Sequence, residues 1–253
     1  MGAVETIARV ARETLQFLLP RQCAGCGVDG EVLCQVCAER LSNRGLVVQL
    51  ALQRHLYRRP IVAATDYDPR VKAVITAFKD KGLHPLATPL SSVMAEAWST
   101  HGAVDGRPVL CVPVPSAAWG MVRRGYEPTW LLASRLSQRV PAARAVSALQ
   151  RGHSLIGRQR KTMSRRERLI TTPRYRSRFD LRGYAVVIVD DVVTTGASLE
   201  AAALALTRAG ARVVGAVVAA AAIRESSGYV EAGNFGDSAL ASGLRLRPLQ
   251  ADS

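Results

Sequence analysis

The stretch from Tyr184 to Gly210 constrains this chain more than any other. Ala185-Val-Val-Ile-Val189 is an unbroken apolar run rich in β-branched residues, the pattern of a strand buried on both faces in a parallel sheet. The run ends in charge at Asp190 and Asp191, and a turn of small hydroxyl residues around Gly196 follows. Ser198 to Ala209 then has the composition of a helix, with Gly210 placed just beyond its end. Strand, small loop and helix in this order imply an α/β fold with a parallel sheet flanked by helices.

The junction reads as a phosphate cup. A helix N-terminus leaves its first N–H groups unpaired and carries partial positive charge, and glycine lets the backbone approach a ligand closely. Val192, Val193, Thr194, Thr195, Gly196, Ala197 and Ser198 are therefore candidate substrate-binding residues, with hydroxyl donors from Thr194, Thr195 and Ser198. Phosphate would repel Asp190 and Asp191. These acids suit ribose hydroxyls, or a Mg²⁺ that rides on the ligand, so a sugar phosphate is the expected ligand and the two acids are the candidate catalytic pair.

Four of the five cysteines form two short pairs, Cys23-Ala-Gly-Cys26 and Cys34-Gln-Val-Cys37. This is metal spacing, and four thiolates fill a tetrahedral site. A structural Zn²⁺ held by Cys23, Cys26, Cys34 and Cys37 is expected, replacing the core that so short a segment lacks. The fifth, Cys111, lies in an apolar run and reads as an inert buried thiol.

The chain has 253 residues, enough for one large domain and a small appendage, and a formal charge of +14 that points to phosphorylated or polyanionic partners. No apolar run is long enough to span a membrane and no secretory signal is visible, so the expected compartment is the cytoplasm.

In order, residues 1–19 have the spacing of an amphipathic helix, residues 20–45 form the cysteine module, residues 46–224 the α/β domain and residues 225–253 a partly ordered tail without chemistry. Within the domain, strands are expected at Ile61–Tyr67, Arg107–Val112, Ala145–Leu149 and Arg212–Ala222, with residues 46–60 a connector. Helices are expected after Tyr67 up to Gly82, at Pro85–Trp98 and at Leu131–Val140. The loop leaving the Arg107–Val112 strand contains Pro115, Ser116, Arg123 and Arg124. Ligands of open α/β sheets bind at such loops, and the arginines suit a pyrophosphate. Lys79, at a helix end, is either a favourable charge there or a phosphate contact. Arg158 to Arg178 holds nine Lys or Arg against one Glu. Arg158, Gln159, Lys161, Arg165 and Arg168 mark it as a flexible basic loop, ordered by phosphates, acidic partners or nucleic acid; Tyr175 and Phe179 are its nearby stacking aromatics.

Residues Val186 to Ser198 resemble the phosphoribosyl pyrophosphate motif of type I phosphoribosyltransferases: four apolar residues, two acids, two apolar residues, Thr-Thr-Gly, any residue, Ser. Over Leu19 to about Ala222 the chain resembles the ComF family of competence proteins. The landmarks in order are Pro20 with both cysteine pairs, Tyr67, Val71, Ile75, Phe78-Lys79, Pro113-Val-Pro115, Arg124-Gly125-Tyr126, Leu149, Arg151, Gln159, Arg168 and the acid pair. The resemblance implies a zinc-ribbon-like N-terminus on a type I phosphoribosyltransferase domain, and a role in uptake or processing of transforming DNA. Two departures, Tyr126-Glu127-Pro128 where the family often has Phe-Asn-Gln and Thr171 where Asn is common, fall in loops expected to face the substrate.

Two functional readings stay open. In one, phosphoribosyl pyrophosphate with Mg²⁺ donates its sugar to an acceptor, with the basic loop closing over the site. In the other, the chain is a non-catalytic DNA-uptake module that binds single-stranded DNA or a helicase-like partner. A second copy of the chain is a further candidate partner.

Overall fold

The computed structural model describes residues 22–42, 46–48, 56, 59–102, 108–116, 126–152, 175–222 and 229–230. The expected helix of residues 1–19, Arg123, Arg124, Arg158, Gln159, Lys161, Arg165, Arg168, and the 225–253 tail apart from residues 229 and 230 lie outside the described residues.

In chain order the elements are α1 (Gln35–Leu41), β1 (Leu46–Val48), β2 (Ile61–Asp66), α2 (Pro69–Asp80), a 3-10 turn (His84–Leu86), α3 (Ala87–His101), β3 (Val109–Pro113), α4 (Pro128–Ser137), β4 (Ala143–Ala145), β5 (Leu149–Arg151), β6 (Tyr175–Ser177), β7 (Ala185–Val193), α5 (Ala197–Arg208), β8 (Arg212–Ala221) and β9 (Tyr229–Val230). One sheet has the order β4-β3-β7-β8-β2-β1-β9, and β5 pairs with β6 in a second. Strands β4, β3, β7, β8 and β2 are parallel, as the apolar runs imply, while β1 and β9 extend one edge antiparallel. Among the described residues no helix is long and apolar enough to cross a membrane.

Side chains alternate across a strand, and β7 feeds two cores in this way. Val187 and Val189 lie on one face, in a cluster with Val74, Phe78, Leu90, Trp98 and Leu132, where α4 covers β7 and α3 covers the neighbouring β2 and β8. Val186 and Ile188 pack with Tyr175, Leu199 and Leu206 on the other, against β6 and α5. Helix α2 starts where Asp68 accepts the Arg70 and Val71 N–H groups, each at 2.8 Å, with Pro69 at its first position, a strong N-terminal signal.

Several expectations are corrected. Strand β7 does not stop at Val189 but continues through the acid pair, because Val192 and Val193 pair with Ala220 and Ala221 of β8. The Ala145–Leu149 strand is instead two strands in different sheets. Val146 still donates to the Cys111 carbonyl at 3.0 Å, and the chain then turns through Ala148 toward β6. Helix α4 begins at Pro128, three residues before the expected start, since proline suits a first helical turn. The residue 46–60 connector holds β1, and the tail supplies β9 beside it.

Gly215 marks a register shift, Val186 pairing with Val213 but Val187 with Gly215, so Val214 is the extra residue of a bulge. A Cβ at Gly215 would lie 2.7 Å from the Pro60 carbonyl oxygen and 2.9 Å from the Trp98 ring. Gly215→Ala is expected to cost about 1–3 kcal/mol through overpacking, read as a lowered melting temperature without loss of the fold.

The cysteine module is not a free appendage. Leu41 is buried in the core beneath α2, with Ala24, Val32 and Leu33 packed against the same cluster. Arg40 Nε pairs with Asp68 at 2.6 Å.

Candidate functional site

Because β7 runs through the acids, strand alternation sends them to opposite faces. Asp191 turns toward α2, where its carboxylate forms an ion pair with Lys79. Burial works against the Lys79 ammonium, yet the Asp191 carboxylate outweighs it and holds the Lys79 pKa above its ordinary value. Tyr67, at the end of β2, shares this corner; burial first, then the negative charge of Asp191, raise its pKa.

Asp190 turns the other way and lines a cup formed with Val192, Val193, Thr194, Thr195, Gly196, Ala197, Ser198 and Leu199. Its Oδ1 accepts the Asp191 N–H at 2.8 Å. Burial, and then the neighbouring Asp191 charge, push its pKa well above the usual carboxylate range. Gly196 caps α5 at φ 75°, a left-handed conformation that favours glycine. It turns the chain so that the first N–H groups of α5, which lack helical acceptors, face the cup. Thr194 and Thr195 are exposed at its rim.

Tyr175 of β6 is only 9% exposed. It does not offer the stacking surface expected of it, whereas Phe179 is exposed. Burial raises the Tyr175 pKa; Arg151 and Ser198 oppose the shift, and the Asp190 and Glu127 charges add to it. The phenol thus lies among the groups of the cup. Arg151 and Tyr175 face each other across the β5–β6 pair, so both ends of the intervening basic segment emerge here.

The loop leaving β3 is fastened by Glu127, which the sequence marked only as a departure from the family's pattern in a loop expected to face the substrate. Glu127 accepts the Ser116 hydroxyl at 2.5 Å and the Ser116 N–H at 3.3 Å. Thr129 lies 3.0 Å from the same carboxylate and donates to the Val114 carbonyl at 2.7 Å. Pro115 and Ser116 are half-buried beside it. Tyr126, one residue earlier, donates its hydroxyl to the Phe78 carbonyl and meets His84 edge-on, with ring centroids 4.2 Å apart.

Residues 120–231 match the phosphoribosyl transferase domain. No curated protein matches the chain. The transferase domain takes in α4, the β5–β6 pair, the cup and β8, while β2, α2 and β3 precede it in sequence and complete its sheet. Lys79 therefore reaches the acid pair from outside the matched segment. A lysine at a helix end was the sequence signal for it, and only the tertiary contact that brings the end of α2 to β7 selects Asp191 as its partner.

Ahead of the domain, the sulfur atoms of Cys23, Cys26, Cys34 and Cys37 all lie within 4.8 Å of one another. Gly25 and Cys34 direct their N–H groups at Cys23 Sγ, each at 3.4 Å. Burial opposes the Cys23 thiolate, but the N–H groups of Cys34, Cys26 and Gly25 bring its pKa down to about 6. Burial and the three neighbouring thiols push Cys37 up. Four thiols this close repel one another once ionised, unless a cation sits among them, and the donor set fits tetrahedral zinc. Cys111, fully buried in β3, is held up to about 12 by burial, as an inert core thiol should be.

Proposed function

We propose that this protein binds phosphoribosyl pyrophosphate together with Mg²⁺ and transfers the phosphoribosyl group to an acceptor, releasing pyrophosphate. The observation that carries the reading is the Asp190-lined cup, closed by the left-handed Gly196 at the start of α5. The 5′-phosphate sits on the α5 N–H groups and the hydroxyls of Thr194, Thr195 and Ser198. Asp190 accepts from the ribose hydroxyls. Asp191, on the opposite face, fixes Lys79 at the edge of the site rather than touching the sugar. As the bond from the anomeric carbon to pyrophosphate breaks, the ribose gains positive charge, which the buried carboxylates favour. Mg²⁺ bound with the ligand would neutralise the departing pyrophosphate. In this reading Arg123 and Arg124 add charge for the anion, as do Arg158, Lys161, Arg165 and Arg168 of the basic loop that also holds Gln159; closing of that loop would exclude water. Zn²⁺ on the four cysteines is structural.

Calorimetric titration of phosphoribosyl pyrophosphate with Mg²⁺ tests this directly. Binding by the wild type that disappears in the Asp190→Asn/Asp191→Asn protein is the expected result. A wild type that takes up no ligand would overturn the reading.

A second reading rests on the net charge of +14 and on a cysteine cluster placed ahead of a transferase domain. In it the chain is a ComF-type accessory of DNA uptake that holds single-stranded DNA or a helicase-like partner. It predicts DNA retention that falls steeply with salt and is lost when Arg165, Arg166 and Arg168 are neutralised together.

A further inference from the structure

The cysteine cluster and the acid pair are joined by one helix. At the start of α2, Asp68 accepts two of the helix's own N–H groups and pairs with Arg40 of α1, three residues beyond Cys37. Thr65, fully buried at the end of β2, donates to the Arg40 carbonyl at 3.3 Å. In the middle of α2, Val74 packs onto the first cysteine pair. A Cβ on Gly25 would stand 3.2 Å from Val74 Cγ2 and 2.7 Å from Cys37 Sγ, so helix, knuckle and thiol are in close contact with no space between them. At the far end, Lys79 pairs with Asp191 and the Phe78 carbonyl takes the Tyr126 hydroxyl. Val74 and Lys79 are five residues apart, about 7.5 Å along the helix axis.

We propose that the cysteine centre positions Lys79: α2 is a strut whose seat is the metal-loaded cluster, and Asp68 and Val74 are positioning residues for the Lys79–Asp191 pair. A packed helix moves as a body rather than bending continuously, so loss of the metal, or of the Val74 contact, shifts Lys79 away from Asp191. Linkage is reciprocal. A ligand that draws on Lys79 therefore slows metal release, and metal loading tightens the ligand. The second half of that statement rests on the sugar-phosphate reading; the first half does not.

The test is amine labelling of the full chain with an acylating reagent, read residue by residue by mass spectrometry, with the exposed Lys72 and Lys81 as internal references. The ion pair shields Lys79, so its labelling should rise about fivefold or more in Val74→Ala with zinc bound, a coupling at the low end of the usual range. Lys72 and Lys81 should not change. Chelation of the wild type should do the same while the Cys111 thiol stays unreactive; a reactive Cys111 marks global unfolding, and Val74→Ala then decides alone. Unchanged Lys79 labelling in folded, zinc-loaded Val74→Ala overturns the proposal. The rate of zinc transfer to a chelator, with and without phosphoribosyl pyrophosphate and Mg²⁺, is measured alongside. Slower transfer supports the linkage. An unaltered rate with ligand demonstrably bound overturns its reciprocal half, whereas failure of the ligand to bind overturns the sugar-phosphate reading and leaves the labelling result standing.

Discussion

Asp190→Asn is expected to stabilise the folded protein at neutral pH while weakening its ligand. Burial and the adjacent Asp191 raise the Asp190 pKa in the folded state, whereas the unfolded chain releases this proton near the ordinary value of about 3.9. Between the two values the folded state holds more protons, so stability falls as pH rises. The contribution of the group is present in full below the unfolded pKa and is lost as pH climbs through the folded one. At pH 7 the wild type bears the cost of a buried carboxylate that the amide does not. The amide oxygen can still accept the Asp191 N–H that Asp190 now accepts at 2.8 Å. Thermal melts should therefore show the variant above wild type at pH 7, by roughly 2–4 °C for each kcal/mol recovered, with the gap closing near pH 4. Titration of the same protein should show phosphoribosyl pyrophosphate weakened by about 10- to 100-fold, the equivalent of charged hydrogen bonds to the ribose. Equal melting curves at pH 7 would refute the buried-carboxylate account of this site.

Removing the zinc proposed for the four cysteines is expected to have the largest effect on stability. Cys23 and Cys37 are 3% and 2% exposed, so cation loss leaves four crowded thiols, two of them in the interior, with nothing to bind. Structural zinc contributes about 10–16 kcal/mol to folding in isolated finger peptides. Here the cost should be smaller than in such a peptide, because Leu41 and the Gly25–Val74 contact also anchor the module. Chelation, or Cys37→Ala, should lower the melting temperature by about 10 °C or more, several kcal/mol at the size scaling of such chains. Gly25→Ala should act in the same direction with the metal still available, since its methyl group would meet Cys37 Sγ at 2.7 Å. A melting temperature indifferent to chelation, with zinc shown to have left, would mean the cluster has no structural role.

The buried parallel strands, the cup and the cysteine cluster were legible in the amino-acid sequence, because each is written in contiguous or closely spaced residues. Ala185 to Val189 has the pattern of a doubly buried strand and Thr194 to Ser198 that of a turn into a helix, and two Cys-x-x-Cys pairs bring their thiols together through short-range geometry. The tertiary structure decided which strands neighbour which, and therefore where β7 ends. Its pairing with Ala220 and Ala221 of β8 carries the strand through the acids and splits them between two faces, a distinction that local charge pattern does not encode. It also decided partners. Lys79 was visible as a helix-end cation, Glu127 as a departure from a familiar pattern, and Tyr175 as an aromatic near a basic run. Ion pairs and hydrogen bonds such as Lys79–Asp191 and Ser116–Glu127 form between residues far apart in sequence. Only the packing of helices on the sheet sets those distances. The same physics hid β1 and β9, whose edge pairing depends on backbone groups that every residue carries, whereas the buried strands declared themselves through their side chains.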